Sequence, residues 1–342
     1  QRIFIIAPLF PQYHYGEKLL ISGTLKINLL KDEERVISMI FPKIEAKNSN
    51  KNVVLAITSF VRQKIMSFFQ STLAQTHSSL LLGIVFGIKS GIPSDFFEDL
   101  RISGVLHVVA ASGMNVTMTG GFLSAIFVLF LRRQIAIILT IIGIIFYALL
   151  AGLEPSIIRA GVMGILVFTA QILGRQAWAL LSLLIAGFLM LFISPSLLFD
   201  IGFQLSFLAT LGLIYIKMPF KINAVTEGLS TTVSAQLATL PILLFNFGTY
   251  SLWSVLTNGL VLWTVPYLMV LGGLGALVSL IFEPVAPLFL YLALPLLLYF
   301  EKIISFFADL GGVVELKNIS WQFIIGYYSL LTGLVLFRKG EK

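Results

Sequence analysis

His107, Ser112, Asn115 and Thr119 stand in HVVAASGMNVTMTGG (107–121), directly ahead of FLSAIFVLFL, a run apolar enough to enter a bilayer. Counted at about 100° per residue they fall within an arc of about 140° on one helix, with Thr117 on another face. Three kinds of chemistry suit such a stripe. The Ser, Asn and Thr side chains can bond a neighbouring helix that Gly113 and its fellow glycines allow to come close. The same groups can line a hydrated path, because ionisable residues are expensive in hydrocarbon and usually functional. Ser112 and His107 can also pair as nucleophile and base, but no oxyanion hole or orienting residue is identifiable beside them. The hydrated path is the favoured reading, and a helix break at Ser112-Gly113 would reset these phases.

Arg159, in PSIIRAGVMG, is the second oddity. It sits about one turn into an apolar span, with Ala160, Gly164 and Gln171 forming a small, polar stripe nearby. Its guanidinium can snorkel to an interface, or face the bundle interior to meet a phosphate or Glu154. The stripe is not lipid-like, which favours the interior. Asp200 and Gln204 in LFDIGFQLSF are four apart and stack on one helix face. Asp200 also suits a helix N-cap; Gln204 lies a turn deeper. Asn246 and Asn258 flank FGTYSLWS, and Asn258 falls within the next span. The path-lining candidates are therefore His107, Ser112, Gly113, Asn115, Thr119, Arg159, Gln171, Asp200, Gln204 and Asn258.

Two other patterns carry nothing. GIVFGIKS (83–90) has Gly, Lys and Ser at P-loop offsets, but Ile88 occupies the second glycine position and no soluble βαβ unit surrounds it. The histidines, His14, His77 and His107, are scattered, without metal-ligand spacing. With no cysteine, thiolate sites and disulfides are excluded. No catalytic residue, cofactor or metal is expected.

The elements that position these groups are membrane helices. Of the 342 residues, 58% are hydrophobic and 11% charged, against about a quarter charged in soluble domains. The expected fold is an α-helical polytopic membrane protein. At about 20 apolar residues per crossing, nine spans are read at 104–131, 135–153, 156–173, 177–193, 197–216, 229–247, 251–281, 284–300 and 321–337. The long 251–281 stretch contains Pro266 and is expected to kink, tilt or split into two half-helices. Segment 79–88 is too short to cross and is expected to lie at the surface or re-enter; 53–75 reads as an amphipathic helix. KLLISGTLKI (18–27) nearly alternates, which predicts a half-buried strand, and 31–52 is charged and soluble. Starting at Gln1 without a leader, the chain reads as a fragment.

Four regions follow: 1–52, a β-rich remnant; 53–103, an amphipathic or re-entrant connection; 104–310, the transmembrane core; and 311–342, a last span and tail. Arg132-Arg133, Arg175, Lys217 with Lys221, and Arg338-Lys339 occupy loops of one parity. The opposite loops 152–156, 193–196 and 246–251 carry no Lys or Arg. The positive-inside rule then puts the C-terminus in the cytoplasm, and nine spans put the N-terminal region outside.

Four blocks, in order, carry a resemblance: SLLLGIVFGIKSGIPSDFFEDLRISGVLHVVAASGMNV, GLEPSIIRAGVMGILVFTAQILGR, SPSLLFDIGFQLSFLATLGL and PILLFNFGTYSLWSVLTNGLV. Over about 79–310 the chain resembles the membrane core of the ComEC-type competence proteins. HYGEKLLISGTLKI (14–27) is similar to the end of that family's outer OB-type domain. The resemblance implies a channel for single-stranded DNA in the bacterial cytoplasmic membrane during natural transformation, non-enzymatic in this chain. It departs at Asn115, where the family usually has His, and at Glu154, a carboxylate at an outer mouth. Many relatives carry a metallo-β-lactamase-like nuclease domain; no such histidine motif precedes Lys342, so any nuclease is expected either outside this fragment or as a separate partner.

The family also implies a cytoplasmic helicase-type ATPase and extracytoplasmic DNA-receptor proteins, with a homo-oligomer as a further expectation. Voltage supports a motor: moving one negative charge toward an inside-negative cytoplasm costs about 2.3 kcal/mol per 100 mV. The alternatives are a secondary transporter of a small anionic solute and, more distantly, a membrane-embedded Ser/His hydrolase. No inverted repeat of spans supports the transporter.

Overall fold

Glycine, proline and a few polar caps divide this apolar chain into helices. The structure, a computed structural model, describes residues 3–6, 19–24, 26–29, 35–40, 43–46, 53–110, 112–216, 224–316 and 320–340. The chain forms two units, residues 1–63 and 64–342. The first holds β1 (Ile3–Ile6), β2 (Leu19–Ser22), β3 (Lys26–Leu29), β4 (Arg35–Ile40) and β5 (Lys43–Ala46). One sheet runs β1-β4-β3, with β1 parallel and β3 antiparallel to β4; β2 and β5 pair antiparallel. The strand expected over 18–27 is thus two strands, divided at 23–25. Each half pairs with a different partner, β2 with β5 and β3 with β4, so the expected single strand is not continuous.

Helix α1 (Val53–Thr72) crosses the division between the units. The second unit continues with α2 (Gln75–Phe86), α3 (Ser94–Ile102), α4 (Leu106–Val109), α5 (Gly113–Phe130), α6 (Arg133–Ala151), α7 (Pro155–Ile172), α8 (Ala179–Ile193), α9 (Ile201–Tyr215) and α10 (Ala224–Phe247). After strand β6 (Thr249–Ser251) come α11 (Ser254–Val261), α12 (Val265–Ile281) and α13 (Ala286–Asp309), then strand β7 (Val313–Glu315), antiparallel to β6, and α14 (Trp321–Gly340).

Among the described residues six helical stretches are long and apolar enough to cross a membrane: 113–130, 133–151, 155–172, 229–247, 254–281 and 283–309. The apolar helices Ala179–Ile193, Ile201–Tyr215 and Trp321–Phe337 are shorter. At about 1.5 Å per residue a 15-residue helix such as α8 or α9 rises about 22 Å, less than a typical hydrocarbon core. Each of the nine expected spans corresponds to one of these stretches, and six of them have the length of a crossing helix.

Two readings differ from expectation, at 104–131 and 79–88, and the split considered for 251–281 is observed. The span read at 104–131 is broken: α4 ends at Val109, Ala110 is extended, and α5 starts only at Gly113. His107 therefore does not share a helix with Asn115 and Thr119, and the common arc is lost. The 251–281 stretch is two helices joined by a 3-10 turn at Leu262–Thr264. Pro266 sits in the first turn of α12, where its missing N–H costs no helix bond. The surface alternative for 79–88 fails: Leu80, Leu81, Leu82 and Ile84 on α2 are fully buried. A helix hydrophobic on every side belongs in a core.

Small residues set the helix spacing. A side chain at Gly272 on α12 would strike Val85 and Leu81 of α2. One at Gly120 on α5 would crowd Ile144 of α6, and one at Gly212 on α9 would meet the Ser234 carbonyl and Ala238 of α10. In hydrocarbon, where apolar burial gives helices no special reason to associate, such close approach supplies the packing.

Candidate functional site

A helix that ends inside an apolar core leaves carbonyls without partners. At the end of α2, left-handed Gly87 (φ 69°) turns the chain, and the N–H groups of Gly87 and Ile88 donate to the carbonyls of Gly83 and Leu82. The next two carbonyls are met by side chains. Asn115 Nδ2 donates to the Ile84 carbonyl at 2.7 Å, and the Tyr147 hydroxyl donates to the Val85 carbonyl at 2.7 Å. Ser112 Oγ donates to Asn115 Oδ1 at 2.9 Å, which orients the amide. Asn115 is 1% exposed. Ser112 is thus engaged with Asn115, in place of the His107 contact that a hydrolase would need.

Arg159 lies in the bundle interior. Its residue is 8% exposed, Nη1 donates to the Ser206 carbonyl of α9 at 2.5 Å, and buried Nε has no partner. The guanidinium lies against Gly113, where a side chain would collide with Nη2. Glu154, the carboxylate considered as its partner, instead faces Lys89 at 3.7 Å.

A second polar group joins α10 to α11. Tyr250 OH donates to Gln236 Oε1 (3.0 Å), Gln236 Nε2 donates to Ser254 Oγ (2.5 Å), and Asn258 Nδ2 donates to the Ser254 carbonyl (2.7 Å). Asn258 is fully buried, and its Oδ1, like Ser251 Oγ and Trp253 Nε1, is buried without a partner. Gly104 abuts Ser251 and Ser254. The contacts Gly113–Arg159, Arg159–Ser206, Gly212–Ser234, Gln236–Ser254 and Ser254–Gly104 join α5, α7, α9, α10, α11 and segment 103–112 in a closed circuit. His107, on that closing segment, is exposed on the short helix α4, with the Gly104 backbone against its ring.

The remaining candidates scatter. Thr119 is half-buried on α5, and Gln171 is exposed in the last turn of α7. Asp200 is the N-cap of α9, its carboxylate accepting from Phe203 N at 3.0 Å. Gln204 donates to the Leu198 carbonyl at 2.8 Å and borders an apolar groove with Phe188, Phe203 and Phe207. Sequence reasoning missed Tyr147, Ser206, Gln236 and Tyr250. Gln236, in TTVSAQLATLP, carried a visible signal as an amide between span-forming residues.

Ionisable groups also gather around the last turns of α13. His77 Nε2 meets Glu301 Oε2 at 2.7 Å, and Ser305 Oγ donates to Asp99 Oδ2 at 3.3 Å. Burial holds the Asp99 carboxyl above its ordinary value, and the acids Asp309, Asp95 and Glu98 add to the rise. Arg101, hydrogen-bonded to Glu98, pulls that carboxyl down. The bundle thus combines buried hydrogen-bond donors with small residues at its helix contacts.

The family profile described as "Competence protein" matches residues 84–340. ComE operon protein 3 of Bacillus subtilis (strain 168) is 29% identical over 201 residues, 58% of this chain and 26% of that protein. An uncharacterized protein of Aquifex aeolicus (strain VF5) is 27% identical over 307 residues, 89% of this chain and 69% of that protein. The chain thus spans about a quarter of the length of the Bacillus relative. No solved structure matches. A profile match across the buried α2 terminus, the Arg159 contact and every long apolar helix leaves one conclusion: this multi-pass membrane protein belongs to the competence protein family, of the ComEC type.

Proposed function

We propose that this chain serves DNA uptake in competence by conducting single-stranded DNA across the bacterial cytoplasmic membrane. The observation that supports the reading is the closed circuit of helices with exposed His107 on its closing segment. A strand in transit needs hydration, phosphate contacts and flat surfaces for bases. Tyr250 and Trp253, beside the α10–α11 polar group, are aromatic surfaces of the right kind. The membrane core conducts and does not cut, and a cytoplasmic helicase-type ATPase draws the strand inward against the membrane potential. Extracytoplasmic receptor proteins deliver the DNA to the β-rich region, which we read as OB-like.

All nine apolar segments cross in this reading, with the N-terminal unit outside and the C-terminus in the cytoplasm. Shorter α8 and α9 cross by thinning the bilayer locally. Reporter fusions after Arg133, Arg175 and Lys339 should all read cytoplasmic, and an external signal at two of them sinks the topology. The function is tested by natural transformation in a gene-deletion strain complemented with the gene for the whole protein. Transformation should fall in the deletion strain and return on complementation while small-anion flux stays constant. Loss of anion flux with normal DNA uptake would refute the DNA reading and favour a transporter.

A further inference from the structure

We propose that Arg159 and the N-terminus of α5 form a binding site for a single phosphate group. The occupant would be a phosphodiester of the conducted strand, a lipid headgroup or free phosphate. The first identification rests on the DNA reading above; the phosphate chemistry does not.

A buried guanidinium is costly unless its charge is answered. Among the described residues Arg159 has no ion pair, and its Nη1 bond goes to a neutral carbonyl. Nε is buried and unpartnered. The carboxylates nearest in sequence are engaged elsewhere, Glu154 opposite Lys89 and Asp200 at the cap of α9. The interior therefore holds a positive charge with a free donor at Nε and, among the described residues, no carboxylate paired with it.

The geometry beside it supplies the rest of an anion site. The 18-residue α5 begins at Gly113, the residue against which Nη2 lies. Its N-cap, Ser112, makes no capping bond, because Oγ is turned to Asn115. The Asn115 N–H donates to the Ser112 carbonyl, but the start of α5 at Gly113, and with it the positive end of the helix dipole, lies beside the guanidinium, and both charges favour an anion. The absent side chain of Gly113 permits this juxtaposition. The planar fork of Arg suits two phosphate oxygens at once, which Lys cannot match.

The test uses the purified chain in phosphatidylcholine nanodiscs. The probes are inorganic phosphate, a 12-nucleotide oligothymidylate and its uncharged methylphosphonate analogue. Inorganic phosphate should raise thermal stability at constant ionic strength, and the oligonucleotide should bind where its methylphosphonate analogue does not. Arg159→Gln should weaken both phosphate-bearing probes at least about 30-fold, the loss expected when one member of a buried charged pair is removed. Arg159→Lys should fall between. Gly113→Ala should weaken both by crowding Nη2, while Gly121→Ala, which meets nothing, should not. Gly113→Ala and Arg159→Lys keep the test valid if Arg159→Gln does not fold.

The sources separate in parallel arms. Competition by phosphatidylglycerol in the nanodisc, lost in Arg159→Lys, identifies a lipid headgroup and upholds the site. Phosphate binding through Arg159 without oligonucleotide binding upholds the site and removes the strand as its occupant. Binding of both inorganic phosphate and the oligonucleotide unchanged in Arg159→Lys and Gly113→Ala overturns the site and leaves the DNA reading standing.

Discussion

Replacing Asn115 should loosen α2 from the bundle, and the size of the effect follows from two hydrogen bonds. Asn115 Nδ2 and the Tyr147 hydroxyl each donate at 2.7 Å to the carbonyls of Ile84 and Val85, at the buried end of α2. Water does not replace a lost donor there, since Asn115 is 1% and Tyr147 5% exposed. An unsatisfied buried carbonyl costs about 1–3 kcal/mol, whereas side-chain bonds between membrane helices average about 0.6 kcal/mol with a maximum near 1.7. Asn115→Ala and Tyr147→Phe should therefore each cost about 1–2 kcal/mol, at the upper end of the membrane range because both acceptors are backbone groups. Asn115→His should retain most of the stability, because a ring N–H can donate to the same carbonyl. Asn115→Asp should be worst at neutral pH, bringing an ionised acceptor to an acceptor, and should recover as acid supplies the proton that donates.

Denaturant titration in detergent measures the stabilities. A single thiol at Leu82→Cys reports the loosening, since the native chain has no cysteine and Leu82 is fully buried. Its labelling should accelerate in Asn115→Ala and not in Asn115→His. If Asn115→Ala and Tyr147→Phe both remain within about 0.3 kcal/mol of the parent, with labelling unchanged, α2 is not capped in this way.

Three further outcomes are expected. Pro241 inside α10 cannot bond the Leu237 carbonyl, which accepts instead from Tyr327 OH at 2.9 Å, with Tyr328 OH on Ala238; Tyr327→Phe should cost about 1 kcal/mol in the parent and less in Pro241→Ala, and an equal cost in both would break the link. Gly212→Val should drive α9 from α10 by striking the Ser234 carbonyl, at about 1–3 kcal/mol in the same titration, whereas Gly326→Ala meets nothing and should be silent. Burial raises the folded-state pKa of Asp99, so its contribution is favourable at low pH and is lost as pH rises through that value. Asp99→Asn should thus be more stable than the parent at neutral pH, and the gap should close in acid below about pH 4; a gap that widens in acid would reverse the assigned sign.

The sequence by itself determined the solvent of this protein and the inventory of its helices, because hydropathy and helix breaking are local properties. Apolar runs located the six helical stretches long enough to cross, Pro266 signalled the interruption of 251–281, and Asp200 at the head of LFDIGFQ was a legible N-cap. The four ordered blocks also carried the family, since a profile needs only residue order. The bonding of the polar groups inside the bundle was not legible, because each answer lies far away in the chain. Asn115 meets Ile84 at a separation of 31 residues, Arg159 meets Ser206 at 47, and Tyr327 meets Leu237 at 90. The helical arc that grouped His107 with Asn115 failed at one turn of backbone, where α4 stops and α5 begins. Only tertiary structure decided that α2 is buried, that Asn115 caps it, and that Arg159 is held inside with its Nε unpartnered. The physical reason is that a polar side chain in hydrocarbon must find a partner wherever packing supplies one, and sequence spacing does not encode which helix comes close.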